Sequence, residues 1–310
     1  MLPCLACRYA LVPMTAIPAP PPGAITRFAP SPTGGLHLGH AHAALFAATL
    51  AAHSGGRFLL RLEDIDTTRC RPEFAAGIGT DLAWLGLVWE HPARVQSAHF
   101  AEYRAALARL DGQGLLFPCF CTRGAIAREI AASGGAPQGP DGPLYPGTCR
   151  RLSAADRAAR LAAGAPHALR LDMAAALAQI SRPLSYHELG RGRLACDPAR
   201  FGDVVLARRE VPASYHLCVT HDDAVQGVTL VTRGVDLQAA TDLHRLLQEL
   251  LGWPEPAYAH HPLILGPDGK RLAKRDQAPT LAGLRAAGIG PDEVRTMAGF
   301  PSPVASIAPA

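Results

Sequence analysis

Lysine is almost missing from this chain. Of its 30 basic residues only Lys270 and Lys274 are lysine, and all the others are arginine. Long apolar runs are missing too: although 48% of the 310 residues are hydrophobic, no stretch approaches the roughly 20 that a membrane-spanning helix needs, so no membrane partner is expected. An export signal is also lacking, because the apolar stretch within residues 1–14 is too short and too poorly flanked. Eight cysteines without such a signal predict reduced thiols in a cytoplasm rather than a disulfide framework, and any clustering among them points to metal. The net charge of +4 is too small for the total to imply nucleic acid, so that reading has to rest on local patches.

What is present is organised. Residues 1–23 read as a disordered arm that ends in a proline-rich lead-in, with Met14 as an alternative start. Residues 24–29 read as a strand, 30–35 as a loop, 39–53 as an alanine-rich helix stopped by Gly55 and Gly56, and 57–62 as a second strand. This order is a βαβ unit, which predicts a parallel sheet with ligands at the carboxyl ends of its strands. The loop before the helix and the run Glu63-Asp-Ile-Asp66 then face one crevice. Helices are expected at 72–87 and 98–116, a charged helix at 154–163, strands at 203–207, 215–220 and 228–232, and helices at 237–251 and 280–297. The glycine- and proline-rich character of 118–198 marks an insertion between two halves, 24–117 and 199–279, of a nucleotide-binding domain, with 280–310 as a short helical tail.

Three local patterns carry chemistry. His37 and His40 bracket Gly39 at a helix entry, where donated hydrogen bonds and the positive helix end meet a polyphosphate, and where the absent side chain of Gly39 lets a flat adenine approach the backbone. Taken alone, so short a pattern is read as easily as a plain helix entry. Lys270 and Lys274 place compact ammonium groups in a chain that otherwise uses arginine, which suits a phosphate that moves during reaction. Cys119, Cys121 and Cys149, with Tyr145, form a candidate metal set, whereas Cys196 and Cys218 stand alone and read as core.

Over longer stretches the residues resemble class I aminoacyl-tRNA synthetases, and the glutamyl and glutaminyl subgroup in particular. The resemblance runs through Arg27-Phe-Ala-Pro-Ser-Pro-Thr-Gly-Gly-Leu-His-Leu-Gly-His40, Arg61 to Arg69, Asp81 to Leu87, Phe117 to Arg123, Tyr215 to Asp223, Thr232 to Leu237 and the loop Gly266 to Arg275, in the subgroup's order. It implies an α/β fold: a class I synthetase Rossmann-type parallel sheet with an inserted zinc-containing α+β subdomain and a short helical tail. It also implies ATP-dependent activation of L-glutamate to glutamyl-adenylate, with Mg2+ accompanying ATP. His37, His40 and Lys274 are the implied catalytic residues, with Gly39 and Arg271 also at ATP. Arg27 and Arg233 are implied at the substrate carboxylates, Glu63 at the ammonium, Tyr215 as hydroxyl donor, and Ala29 and Ser31 as backbone and hydroxyl contacts. Cys119, Cys121, Tyr145 and Cys149 are the implied ligands of a structural Zn2+, with His167 as an alternative fourth. The second signature departs from the subgroup at Arg271 and Ala273, where lysine and serine are usual.

Full members of the subgroup continue beyond the Lys274 loop with a large helical domain for the anticodon, whereas about thirty residues follow it here. The pattern therefore resembles the subgroup's truncated paralogues, which attach glutamate to the modified base queuosine in the anticodon of tRNA(Asp). A discrete enzyme charging tRNA(Glu), or an inactive paralogue holding tRNA or an amino acid, are the alternatives. A cytoplasmic monomer is expected, and Arg150, Arg151, Arg191, Arg193, Arg208 and Arg209 are available for phosphate contacts.

Overall fold

The computed structural model describes residues 17–132, 135–265 and 279–304. Its first half runs β1 (Ile25–Phe28), α1 (Leu38–Ser54), β2 (Arg57–Leu62), α2 (Pro72–Trp84), β3 (Glu90–Val95) and α3 (Phe100–Gly112). The three strands lie in parallel, with Ile25 opposite Arg57, Phe28 opposite Leu60 and Leu62 opposite Val95. Helix α1 is buried almost all round because its alanines let it lie close on the sheet. It stops at Gly55, which takes the left-handed conformation that glycine adopts without strain. Gly56 follows because a Cβ there would collide with the Ala24 carbonyl as β2 turns in beside β1.

The chain then leaves the sheet through β4 (Leu116–Cys119), α4 (Arg123–Ala132), the two-residue strands β5 (Gln138–Gly139) and β6 (Gly142–Pro143), α5 (Ala154–Ala162), β7 (Ala168–Leu171) and α6 (Met173–Ala178). Strand β7 pairs antiparallel with β4 on one side and with β10 (Val205–Ala207) on the other. Neither α4 nor α5 has a buried residue, and the small apolar cluster around β4 consists of Phe117, Cys119 and Cys149 with half-buried neighbours. The strands β8 (Ser185–Glu188) and β9 (Gly192–Ala195) fall within the stretch read from sequence as the insertion, yet β8 hydrogen-bonds to a strand of the second half.

That second half comprises α7 (Tyr215–Val225), β11 (Leu230–Gly234), α8 (Ala240–Leu251) and β12 (Ala257–His261), giving the sheet order β11-β12-β8-β9. The two halves meet where Thr229 N donates to the Ile25 carbonyl at 3.1 Å and Ile25 N donates to Thr229 Oγ1 at 2.9 Å. The carboxyl ends of β1, β2 and β11 thus lie side by side, at the edge where parallel sheets of this kind hold ligands. Two short helices, α9 (Leu281–Ala286) and α10 (Pro291–Met297), close the described chain and bury Leu281, Leu284, Val294 and Met297 in the core beneath α1 and α2.

One predicted element changes type. Residues 215–220, expected as a strand, begin helix α7. The run Tyr-His-Leu-Cys-Val-Thr is buried on every side, which erases helical periodicity, and the deciding signal is Ser214, whose side-chain oxygen accepts from Leu217 N as an N-cap.

Candidate active site

Helix α1 opens on a reciprocal pair of histidines. Gly39 N donates to His37 Nδ1 and His37 N donates to His40 Nδ1, each at 3.1 Å. Because both Nδ1 atoms accept from backbone, each neutral ring carries its proton on Nε2 and offers an N–H donor. The rings lie 3.8 Å apart between centroids, and a Cβ on Gly39 would stand 3.1 Å from His37 Cε1. Glycine here makes room for the His37 ring itself. Two N–H donors at the positive end of a helix form an arrangement that can stabilise charge on phosphate oxygens.

The strand ends above this helix bring together most of the implied glutamate set. Ser31, Glu63 and Tyr215 line one cavity of about 250 Å3, with Gln96 and Arg208 at its wall. Arg27 points inward from β1 but is already gripped: its Nε donates to Asp223 Oδ1 at 2.8 Å and its NH1 to the Thr232 carbonyl at 2.8 Å. Arg61, fully buried, donates to the same Asp223 oxygen at 2.7 Å and to Glu63 Oε1 at 3.1 Å. Burial pushes the Asp223 carboxyl up, but the two guanidiniums outweigh it and leave the group below its ordinary range. Glu63 goes the other way. Burial dominates over Arg61 and Arg27 and raises its carboxyl, so an incoming ammonium would favour the ionised form. The Tyr215 phenol is likewise raised by burial, and its hydroxyl takes no hydrogen bond from the described residues. Ala29, half-buried, sits on the loop leaving β1.

Arg233 differs from its neighbours. It is 7% exposed, yet among the described residues it forms no ion pair. Its Nε faces His260 Nε2 at 3.2 Å, NH1 faces His244 Nδ1 at 3.1 Å, and NH2 donates to Thr241 Oγ1 at 2.6 Å. A buried guanidinium held only by neutral acceptors is an uncompensated cation, and burying one is costly unless an anion arrives to pair with it. Such a group can fix a carboxylate through planar paired hydrogen bonds.

In the insertion, the Sγ atoms of Cys119, Cys121 and Cys149 lie within 4.8 Å of one another, and the Cys121 and Cys149 sulfurs are 3.4 Å apart. The Tyr145 hydroxyl is 3.6 Å from Cys121 Sγ and accepts from Cys149 N at 2.8 Å. Phe120 N donates to Cys149 Sγ at 3.3 Å. Three sulfurs and one oxygen at these spacings fit the tetrahedral donor set of a structural zinc. His167 is not in the cluster: its Nδ1 donates to the Ala165 carbonyl at 3.0 Å and its ring packs on Phe120. Cys218 is buried in the core and Cys196 packs against it. Lys274 and Arg271, with Lys270 and Ala273, lie outside the described residues.

Sequence reasoning gave no role to Arg61, Asp223, His244, His260 or Glu188. A signal existed for the first, since Arg61 interrupts the apolar run of β2. Asp223, which follows Thr-His-Asp, and the other three carry no local mark.

Residues 24–292 match the family described as tRNA synthetases class I (E and Q), catalytic domain. A glutamyl-Q tRNA(Asp) synthetase from Rhodobacter capsulatus is 49% identical over 281 residues, covering 89% of this chain and all of that protein. A glutamate–tRNA ligase from Aquifex aeolicus is 38% identical over 269 residues, 86% of this chain and 54% of that protein. Among solved structures, a glutamate tRNA ligase from Elizabethkingia meningosepticum in complex with its amino acid superposes with a TM-score of 0.76 at 27% identity. The match covers 92% of this chain and 63% of that one, so the chain spans less than two thirds of the solved ligase.

Proposed function

This chain belongs to the class I (E and Q) tRNA synthetases, and from that premise we propose that it activates L-glutamate with ATP and transfers the glutamyl group to queuosine in the anticodon of tRNA(Asp). It is an aminoacyl-tRNA-synthetase-type ligase. The observation that carries the choice of glutamate is Arg233, a buried cation with no anionic partner among the described residues, close to Tyr215 of the Tyr215, Ser31 and Glu63 cavity. In this reading Arg233 pairs with the side-chain carboxylate, Glu63 receives the ammonium, and Arg27, Ala29, Ser31 and Tyr215 complete the pocket. An α-carboxylate oxygen attacks the α-phosphorus of Mg2+-bound ATP, the bond to the bridging oxygen breaks, and pyrophosphate leaves with the electron pair. His37 and His40 donate N–H groups to the phosphate oxygens as charge develops, with Gly39 beside them, and Lys274 and Arg271 act on the departing pyrophosphate. An acceptor hydroxyl then attacks the glutamyl carbonyl and releases AMP.

Zinc held by Cys119, Cys121, Tyr145 and Cys149 would supply cross-linking to an insertion in which α4 and α5 bury no residue. The Rhodobacter capsulatus relative, aligned over its full length, is named for tRNA(Asp), which favours that acceptor over tRNA(Glu). The cytoplasm, where these substrates meet, is the compartment we assign, with a monomer as the working unit. The decisive experiment supplies enzyme, ATP and labelled glutamate with queuosine-bearing tRNA(Asp), unmodified tRNA(Asp) or tRNA(Glu). Labelling of the first alone supports the reading, equal labelling of tRNA(Glu) reassigns the acceptor, and absence of glutamate-dependent pyrophosphate exchange refutes activation.

A further inference from the structure

Behind Arg233 a row of imidazoles leads out of the pocket to the insertion. Arg233 NH1 meets His244 Nδ1 at 3.1 Å, His244 Nε2 meets His216 Nδ1 at 3.1 Å, and His216 Nε2 meets Asp141 Oδ2 at 2.8 Å. The direction of every bond follows from the arginine, which has donors and no acceptor. His244 Nδ1 must therefore accept, and a neutral His244 then carries its proton on Nε2. That proton is donated to His216 Nδ1, so His216 holds its own proton on Nε2 and donates it to Asp141. Burial first, and Arg233 second, keep the His244 imidazole well below its ordinary pKa and hence neutral. The other side of Arg233 repeats the scheme, with Nε donating to His260 Nε2 and His260 Nδ1 donating to Glu188 Oε2 at 2.8 Å.

The contrast with Arg27 shows what such an arrangement does. Asp223 grips Arg27 directly and neutralises it. Asp141 and Glu188 act on Arg233 through interposed rings, so the guanidinium is oriented while its charge stays available to a substrate carboxylate. Asp141 sits in the turn between β5 and β6 with its side chain 58% exposed, so this outer end of the row belongs to the insertion rather than to the catalytic sheet. It also lines a second cavity, of about 580 Å3, with Tyr215, His216, Arg170 and Arg208.

We propose that Asp141, His216 and His244 are positioning residues that fix the ring facing Arg233, so that full glutamate affinity requires the β5–β6 turn of the insertion to be docked on α7. The proposal rests on the reading of Arg233 as the glutamate anchor. Losing one hydrogen bond of the row should loosen Arg233 by the amount a single net hydrogen bond contributes, about a three- to tenfold rise in KM for glutamate.

The test is ATP–pyrophosphate exchange, which needs no tRNA. Asp141→Ala should raise KM for glutamate by about that factor and leave kcat and KM for ATP within about twofold. Asp141→Asn, which keeps an oxygen to accept from His216, should restore the wild-type KM. His216→Phe cuts the same row, so combining it with Asp141→Ala should add nothing further. An unchanged KM in Asp141→Ala, equal losses for glutamate and ATP, or failure of Asp141→Asn to rescue would each overturn the proposal. Should His216→Phe not fold, the exposed Asp141 pair decides alone. A wild-type enzyme that shows no exchange with glutamate would instead indict the parent reading.

Discussion

Replacing Arg233 with methionine separates substrate binding from stability, because this arginine is buried with no anion beside it among the described residues. The substitution removes hydrogen bonds to His244, His260 and Thr241, leaving two imidazole nitrogens unpaired, but it also removes an uncompensated charge from a site 7% exposed. These effects oppose one another, so the melting temperature of the ligand-free protein should move little. Binding should suffer far more. A buried charge pair truncated on one side costs about 2–5 kcal/mol, or roughly 30- to several-thousand-fold in kcat/KM for glutamate. The loss should fall on KM for glutamate and leave KM for ATP near its original value. Arg233→Lys should recover only part of it, since an ammonium keeps the charge and loses the planar pair of donors. The same logic predicts that glutamate stabilises the wild-type protein, by about 2.7 kcal/mol at a hundredfold excess over Kd, and does not stabilise Arg233→Met. Pyrophosphate exchange at varied glutamate and thermal melts with and without glutamate measure both quantities. A variant that keeps kcat/KM for glutamate within threefold, or that still gains stability from glutamate, would refute the assignment.

His37→Asn keeps a side-chain oxygen that can cap α1 but loses the Nε2 donor, so its melting temperature should hold while kcat for exchange falls about a hundredfold; His37→Ala should lose about 1 kcal/mol of stability as well. Protein made with ample zinc should carry about one zinc per chain by elemental analysis, and Cys149→Ser should carry much less, since the three sulfurs converge on one point. Full metal content in Cys149→Ser would show that the site is misassigned. Burial holds His261 neutral down to about pH 4, against 6.5 for the free side chain. The unfolded chain therefore binds the extra proton first, and the His261 contribution to stability is constant above about pH 6.5 and falls as pH drops toward 4, by about 3 kcal/mol in all. Denaturant titrations at pH 7.5, 5.5 and 4.5 should show this slope reduced in His261→Phe, and parallel curves would count against it.

How much of this was legible in the sequence depends on the range over which each feature is written. The strand at 57–62 is local: Gly55 and Gly56 mark the turn and the apolar run marks the strand, and the structure agrees residue for residue. The segment after Ser214 is also local, but burial on every side hides its period, so only the cap distinguishes helix from strand. The thiol cluster was readable because its members keep a spacing that survives as sequence, while the distances were needed to see that Tyr145 lies beside the thiols and His167 does not. Arg233 was reachable only through resemblance, since nothing in Thr-Arg-Gly announces a buried cation whose partners among the described residues are all neutral. The row from Asp141 to Arg233 was not legible at all. Its bonds join residues 75, 28 and 11 positions apart, each unremarkable where it stands. Their meaning comes from direction, and direction comes from the one member that can only donate. Chemistry of this kind is specified by the order in which protons must be placed, which no run of neighbouring letters records and which the fold fixes once α7, α8 and the β5–β6 turn are brought together.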